Sequence, residues 1–367
     1  MGSGVSHVFT TMSRMRFIAS GVRLLLGAFL FVISVLLSTT NSWADEGGVS
    51  FWLPGIYGSL AAVPGQPGAS FITFNYYDSV RAGADVARAR EIQIGRFDPT
   101  LTLNLNANLK ATIDLQWLQP GYTFATPVLG GQAYVGLGAF FGRNRTSLDG
   151  TLTASVPPFN FVRSDSISDS VTGWGDLYPQ ANIKWNQGVN NFMVYLTGDI
   201  PVGAYDSARL ANLGIGHGAV DGGFGYTYFD PKTGHEFSAV TGLTYNFTNP
   251  STNYQNGVDW HLDLAASQFL SKQFSLGVVG YVYKEIGCDS GSGDRVGCFQ
   301  SQVVGMGPQL TYLFPISKDW QGYVNVKGYK EFAAENRADG WNAWLTFQIS
   351  PAAPSPAAPV SRRMITK

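Results

Sequence analysis

Residues 101–117 read LTLNLNANLKATIDLQW. Leu101, Leu103, Leu105, Ala107, Leu109, Ala111, Ile113, Leu115 and Trp117 share one parity; Thr102, Asn104, Asn106, Asn108, Lys110, Thr112, Asp114 and Gln116 share the other. Alternation at period two marks a β-strand with two unlike faces, and no helical spacing competes with it here. The run is long. Strands of soluble sheets usually hold about five or six residues, whereas a tilted strand needs about 9–11 to cross a bilayer.

The same alternation recurs toward the C-terminus, for example Phe192, Val194 and Leu196 against Met193, Tyr195 and Thr197. Trp260, Leu262 and Leu264 oppose Asp259, His261 and Asp263; Leu345, Phe347 and Ile349 oppose Thr346 and Gln348. The predicted strands are 71–80, 88–96, 99–118, 131–141, 145–156, 173–185, 191–200, 219–230, 236–247, 258–270, 273–286, 301–314, 319–332 and 340–350. This makes an all-β fold, a transmembrane antiparallel β-barrel of about 14 strands, with 12 as the alternative count. Connections alternate in length. Gly142–Asn144, Asn186–Asn190, Pro231–His235, Ser271–Lys272 and Pro315–Lys318 read as short turns, and 157–172, 201–218, 248–257, 287–300 and 333–339 as long loops. Short periplasmic turns and long extracellular loops are the outer-membrane pattern. Trp174, Trp185, Trp260, Tyr312, Phe314, Trp320, Trp341 and Phe347 stand near strand ends, as the aromatic girdles of a barrel would.

Composition agrees. Lys and Arg number 24 and Asp and Glu 25, so only 13% of the 367 residues are charged. Glycine contributes 44 residues and aromatics 14%, yet mean hydropathy is +0.01. A disordered chain would carry more charge and fewer aromatics, and a nucleic-acid binder would show a basic excess. Outer-membrane lipid and a small solute are the expected partners, with the barrel-assembly machinery during insertion.

Arg14, Arg16 and Arg23 precede the apolar run Leu24–Leu37, followed by small residues through Ala44 and then Asp45-Glu46. That order predicts a signal peptide over 1–44, with Met12 and Met15 open as starts. Residues 45–69 form a Gly/Pro-rich apolar segment, 70–350 the barrel, and 351–367 a disordered Pro/Ala-rich periplasmic tail. Phe51, Trp52, Leu53, Ile56, Tyr57 and Leu60 make the N-terminal segment too apolar for water. Its prolines and glycines disfavour regular structure, so it is expected either to plug the lumen or to lie across the periplasmic mouth. Cys288 and Cys298 flank a polar, Gly-rich stretch, and an exported protein with such a pair is expected to staple an exterior loop by a disulfide.

From Glu46 onward the chain resembles the outer-membrane family of the meta-pathway of phenol degradation type. The matching stretches are GGVSFWLPGIYGSLAAVPGQPG (47–68), LGGQAY (129–134), TGWGDLYPQANIKW (172–185), IPVGAYD (200–206), LANLG (210–214), YNFTNPSTNYQNG (245–257) and GMGPQLTY (305–312). The resemblance implies an outer-membrane barrel of a Gram-negative bacterium, found with catabolism of aromatic compounds and thought to assist their uptake.

Catalytic constellations are scarce. After the signal only His217, His235 and His261 remain, and a Ser–His pair projecting into a lumen would not meet lipid. No enzyme activity, metal or cofactor is expected. Parity places Asp176, Gln180, Asn182, Lys184, Asp199, Asp259, His261, Asp263, Asn325, Lys327 and Glu331 inside. Acids predominate, which would disfavour aromatic anions and admit neutral or cationic solutes. In the other reading these charges pair across strands and support the wall. The expected function is passive uptake of small apolar or aromatic molecules; a general polar porin and a structural or lipid-modifying barrel are the alternatives.

Overall fold

The computed structural model describes residues 50–83, 104–156, 159–294, 297–298 and 300–353. Twelve strands follow one another in antiparallel order: β1 (Gly68–Ala82), β2 (Asn104–Thr123), β3 (Gln132–Val156), β4 (Phe159–Gln187), β5 (Asn190–Asp199), β6 (Ala219–Asp230), β7 (His235–Asn246), β8 (Asp259–Phe269), β9 (Phe274–Glu285), β10 (Gln302–Pro315), β11 (Trp320–Glu335) and β12 (Asp339–Pro351). Each pairs with its sequence neighbours. β1 also pairs with β12, from Phe71↔Ile349 to Arg81↔Asp339, so the sheet closes on itself. Closure leaves no open edge, the condition a sheet must meet in hydrocarbon. An even-stranded closed antiparallel barrel is the architecture of outer-membrane proteins.

The strand count is twelve rather than fourteen, for reasons of register. Gly142–Asn144, expected to turn, instead continues β3. Gly142, Arg143 and Asn144 pair with Leu115, Asp114 and Ile113 on one side and with Gly173, Thr172 and Val171 on the other. The expected strands 131–141 and 145–156 are therefore one. A polar Gly-Arg-Asn triplet looks like a turn only until flanking strands take up its backbone groups. The expected loop 157–172 is likewise mostly strand, because β4 starts at Phe159 and pairs with β3 from Val156↔Phe159 onward. The loop expected over 333–339 shrinks to 336–338 between β11 and β12. The expected strand 88–96, the signal peptide and the tail from 354 lie outside the described residues.

Connections 188–189, 231–234, 270–273 and 316–319 are short and share one end with the longer turn 124–131. The opposite end carries 200–218, 247–258 and 286–301 and the tall β3–β4 hairpin. A disulfide joins Cys288 and Cys298 in the loop between β9 and β10. The outer-membrane pattern predicts a periplasmic short-turn end and an extracellular staple.

The exterior is not uniform. Around β5–β12 it is apolar, with Leu196, Phe224, Leu243, Val278, Met306, Val326 and Leu345 exposed at lipid-facing positions. Over β1–β3 the outward row carries Asn75, Asp114, Arg143 and Arg145 instead, and Arg145 lies 4.0 Å from Asp114. The explanation is an inverted β2. Leu109 and Trp117 are buried, and Ala111, Ile113 and Leu115 join them along an interior cavity. The apolar parity of this strand faces the lumen.

Candidate functional site

The segment before β1 runs inside the barrel. Leu53-Pro54-Gly55-Ile56 closes a turn in which Ile56 N donates to Leu53 O at 3.1 Å. Proline second and glycine third is the type II pattern, and Gly55 has the required positive φ, +85°. A Cβ on Gly55 would stand 2.8 Å from Tyr329 Cζ on β11. The turn is thus pressed against the wall by bare backbone.

Lumen charges hold that backbone. Asp263 of β8 accepts from Gly55 N at 2.9 Å and Tyr57 N at 3.1 Å. Lys327 of β11 donates to the carbonyls of Gly55, Ile56 (3.1 Å) and Tyr57 (3.3 Å). Glu236 of β7 accepts from Ser59 Oγ at 2.6 Å and Leu60 N at 2.9 Å. Thr227 of β6 takes Ala62 N at 3.0 Å, and Lys184 of β4 donates to Ala61 O at 2.7 Å. Charge-assisted bonds of this kind are about twice as strong as neutral ones. Leu60 itself is held at φ +65°, an uncommon setting for a residue with a Cβ.

Side chains of the segment pack on the wall as well. Phe51 and Trp52 are buried, and Leu53, Ile56 and Tyr57 pack against the same cluster. Trp52 stacks on His261 of β8, centroids 3.5 Å apart. His261 Nε2 lies 3.0 Å from Asp221 Oδ2 and 3.2 Å from Tyr195 OH. Ser267, six residues along β8 from His261, bonds Ser59 and Gln309 rather than the histidine. Among the described residues no group of three or more His, Cys, Asp and Glu side chains gathers as a metal site.

The other lumen residues have structural neighbours of their own. Asp176 of β4 accepts from Gly203 N at 2.7 Å and Ile215 N at 2.9 Å, folding loop 200–218 inward. Asp259 accepts from Asn246 Nδ2 at 2.9 Å and Tyr283 OH at 2.7 Å. Glu331 accepts from Tyr281 OH at 2.7 Å and Gly340 N at 2.8 Å. Gln180 accepts from Gln119 Nε2 at 3.1 Å, Asp199 is buried, and Asn325 bonds Thr311 on β10. Several of these polar groups therefore bind main chain of the inner segment and of the loops.

A cavity of about 610 Å³ remains between the segment and the wall of β1–β4, β11 and β12. It reaches from Asp78, Val80, Leu109 and Arg337 near the loop end to Gln132, Lys184 and Gly65 near the turn end. Its middle is aromatic. Phe74 stacks on Trp117 at 5.2 Å, Trp117 meets Tyr178 at 5.0 Å, and Phe51 stacks on Tyr178 at 5.8 Å. Phe74 and Tyr76 both pack on Trp344, at 5.0 and 4.6 Å. Trp117 Nε1 donates to Gln119 Oε1 at 2.9 Å and Trp344 Nε1 to Asn342 Oδ1 at 2.9 Å, so two of the rings have partnered polar edges.

Sequence reasoning did not select Phe74, Tyr76, Phe140, Tyr178 or Trp344. The signal was present: Tyr178 sits between Asp176 and Gln180, and Trp344 between Asn342 and Thr346, rings on the polar parity of their strands. Such a cavity can hold a flat apolar solute against several ring faces while fixed polar groups border it.

No curated protein matches the sequence. Among solved structures the fold is similar to the COG4313 outer membrane channel from Pseudomonas putida F1, with a TM-score of 0.51 and 14% identity, covering 79% of this chain and 97% of that one. A Pseudomonas aeruginosa FadL homologue is similar at a TM-score of 0.35 and 8% identity, covering 85% and 98%. Residues 81–347, more than half of the chain, match a single family, and the protein belongs to it: the family described as "Putative MetA-pathway of phenol degradation".

Proposed function

We propose that this protein is a passive channel in the outer membrane of a Gram-negative bacterium, admitting small apolar or aromatic molecules rather than catalysing a reaction. The cavity beside the held N-terminal segment carries the reading. A polar porin needs an open, wet lumen, whereas this one is obstructed by Phe51–Val63 and lined by stacked rings. The segment acts as a plug that blocks hydrophilic flow and supplies one wall of the apolar passage. The similar Pseudomonas putida fold is named a channel, which favours a passage, and the family description names phenol degradation, which favours an aromatic solute. The lipid of the membrane and that solute are then its working partners.

Liposome swelling tests this with the full chain and a chain lacking 49–66. The intact protein should pass sugars poorly, and the deletion, folded as judged by heat-modifiable gel migration, should pass them readily and lose any preference for aromatic solutes. Equal sugar flux and equal preference in the two would exclude the plug.

A further inference from the structure

The inverted β2 leaves its charged parity outside, and register shows at what level those charges stand. Phe141 of β3 meets Trp174 of β4 at 5.5 Å, and Tyr77 of β1 meets Trp341 of β12 at 5.1 Å, all on the outward parity. Rings in this position mark the edge of the apolar belt, where headgroups begin. On the turn side of them Val135 and Leu137 are exposed. The polar Thr73, Asn75 and Gln116 at that level satisfy one another. Asn75 Nδ2 donates to Gln116 Oε1 at 2.5 Å, Gln116 Nε2 to Thr73 Oγ1, and Thr73 Oγ1 to Trp117 O at 2.7 Å. On the loop side the outward face turns ionic. Asp114 stands opposite Arg143, Arg145 follows on β3, and Lys110 stands opposite Arg81. The patch is unbalanced toward cations. Lys110 lies 3.9 Å from Asp149 and Arg145 4.0 Å from Asp114, loose pairs on half-exposed side chains. Arg81 and Arg143 form no ion pair with another described residue, although Asp339 of β12 stands opposite Arg81. Lys330 of β11, opposite Trp341, adds a further exposed cation at this level.

We propose that the outward face of β1–β3, just beyond the Phe141–Trp174 pair, is a binding site for the phosphorylated headgroup of a lipopolysaccharide molecule in the outer leaflet. Arg143 and Arg145 hold one phosphate, and Arg81 with Lys110 hold the other. A guanidinium presents two parallel donors to a phosphate, a match that a carboxylate 4 Å away does not use up. The acyl chains then run down past Val135 and Leu137, with the rings at the junction of sugar and hydrocarbon. A second copy of this chain fits the face less well. A two-fold contact sets the same patch against itself, and the excess cations would meet each other. The inference rests on the outer-membrane reading with the long loops outward, and adds the class of lipid and the residues that hold it.

Native mass spectrometry of the full-length protein in detergent tests it, with bisphosphorylated lipid A, monophosphoryl lipid A and phosphatidylglycerol as probes. The bisphosphorylated lipid should bind most tightly, at one molecule per chain. Arg143→Gln with Arg145→Gln should weaken it about tenfold, the weight of one charge-assisted hydrogen bond, and Arg81→Gln with Lys110→Gln should do the same. Lys232→Gln with Lys272→Gln, exposed cations at the turn end, should leave binding as it was. Only variants with heat-modifiable migration are read, and all the residues changed are solvent-exposed, so the wall should form in each. Equal affinity for the three lipids, or undiminished affinity in both loop-side variants, overturns the proposal. A stable oligomer of the lipid-free native protein that is lost on Arg143→Gln with Arg145→Gln also overturns it, by giving the face to a second copy. Sugar and aromatic flux through liposomes should be native in every variant, so these outcomes are separate from the test of the passage. Maleimide labelling of the Cys288–Cys298 loop reports separately whether this end faces outward.

Discussion

Trp52 lies flat on His261, ring centroids 3.5 Å apart and planes inclined by 12°. This contact ties the segment preceding β1 to the middle of β8, and His261 is in turn fixed by Asp221 and Tyr195. Removing a buried tryptophan costs about 3–5 kcal/mol. Trp52→Ala should loosen the plug and leave the wall intact, because the ring belongs to no strand. Hydrogen exchange should rise at the amides of 55–62 and stay unchanged in β8 and β9. Protection retained over 55–62 would show that the stack does not hold the plug.

Asp263→Leu removes the acceptor of two plug amides and leaves both buried. At about 1–3 kcal/mol for each unpaired group, the plug should open often enough to raise sugar flux through liposomes several-fold. Asp263→Asn keeps one acceptor oxygen and should fall between the variant and the native protein. Native flux in the leucine variant would assign Asp263 to the wall alone.

Loop 200–218 hangs on a second carboxylate. Asp176→Ala frees Gly203 N and Ile215 N, so exchange protection of these two amides should drop while the paired Asn182 and Lys184 amides hold. A Cβ at Gly214 would come within 2.9 Å of Asp176 Oδ1, and Gly214→Ala should loosen the same loop from the other side. Protection at 203 and 215 that survives both changes would remove Asp176 from the role of anchor.

The disulfide reports topology. Intact cells should offer no thiol at Cys288 or Cys298 to a membrane-impermeant maleimide, and reductant applied outside should expose both. Labelling before reduction would mean the pair is open; no labelling after it would place the loop on the other side of the membrane.

Much of the wall was legible from alternation, because parity survives every change of context. Its sign does not. Residues 109–117 show a perfect two-residue period, yet nothing within the strand states that Leu109 and Trp117 face the lumen while Asp114 faces out. That choice is set by Phe74 on adjacent β1 and Tyr178 on β4, which turn this side of the interior into an apolar compartment. The misplaced turn at 142–144 has the same origin, since cross-strand partners at 113–115 and 171–173 decide what a local triplet does. Inward placement of Asp263 and Lys327 followed from their spacing. Their use as clamps on a backbone 200 and more residues away could not, for hydrogen bonds to main chain leave no trace in side-chain pattern. The rings on polar parity, Tyr178 and Trp344, were the one overlooked clue to the cavity.

The clamp also fixes an order of events during biogenesis. Lys327 grips the Gly55 carbonyl across 272 residues of chain, and Asp263 grips the Gly55 amide across 208. Contacts of such sequence separation must wait for the entropy of closing the intervening loop to be met by other pairings. The segment that precedes β1 in the sequence is therefore the part that settles last. Until β11 is laid beside β12, Phe51, Trp52 and Ile56 have no groove to enter, and the forming barrel carries an apolar N-terminal thread. The finished plug is then a record of completion: only a chain whose last strands have joined the first can draw its beginning inside.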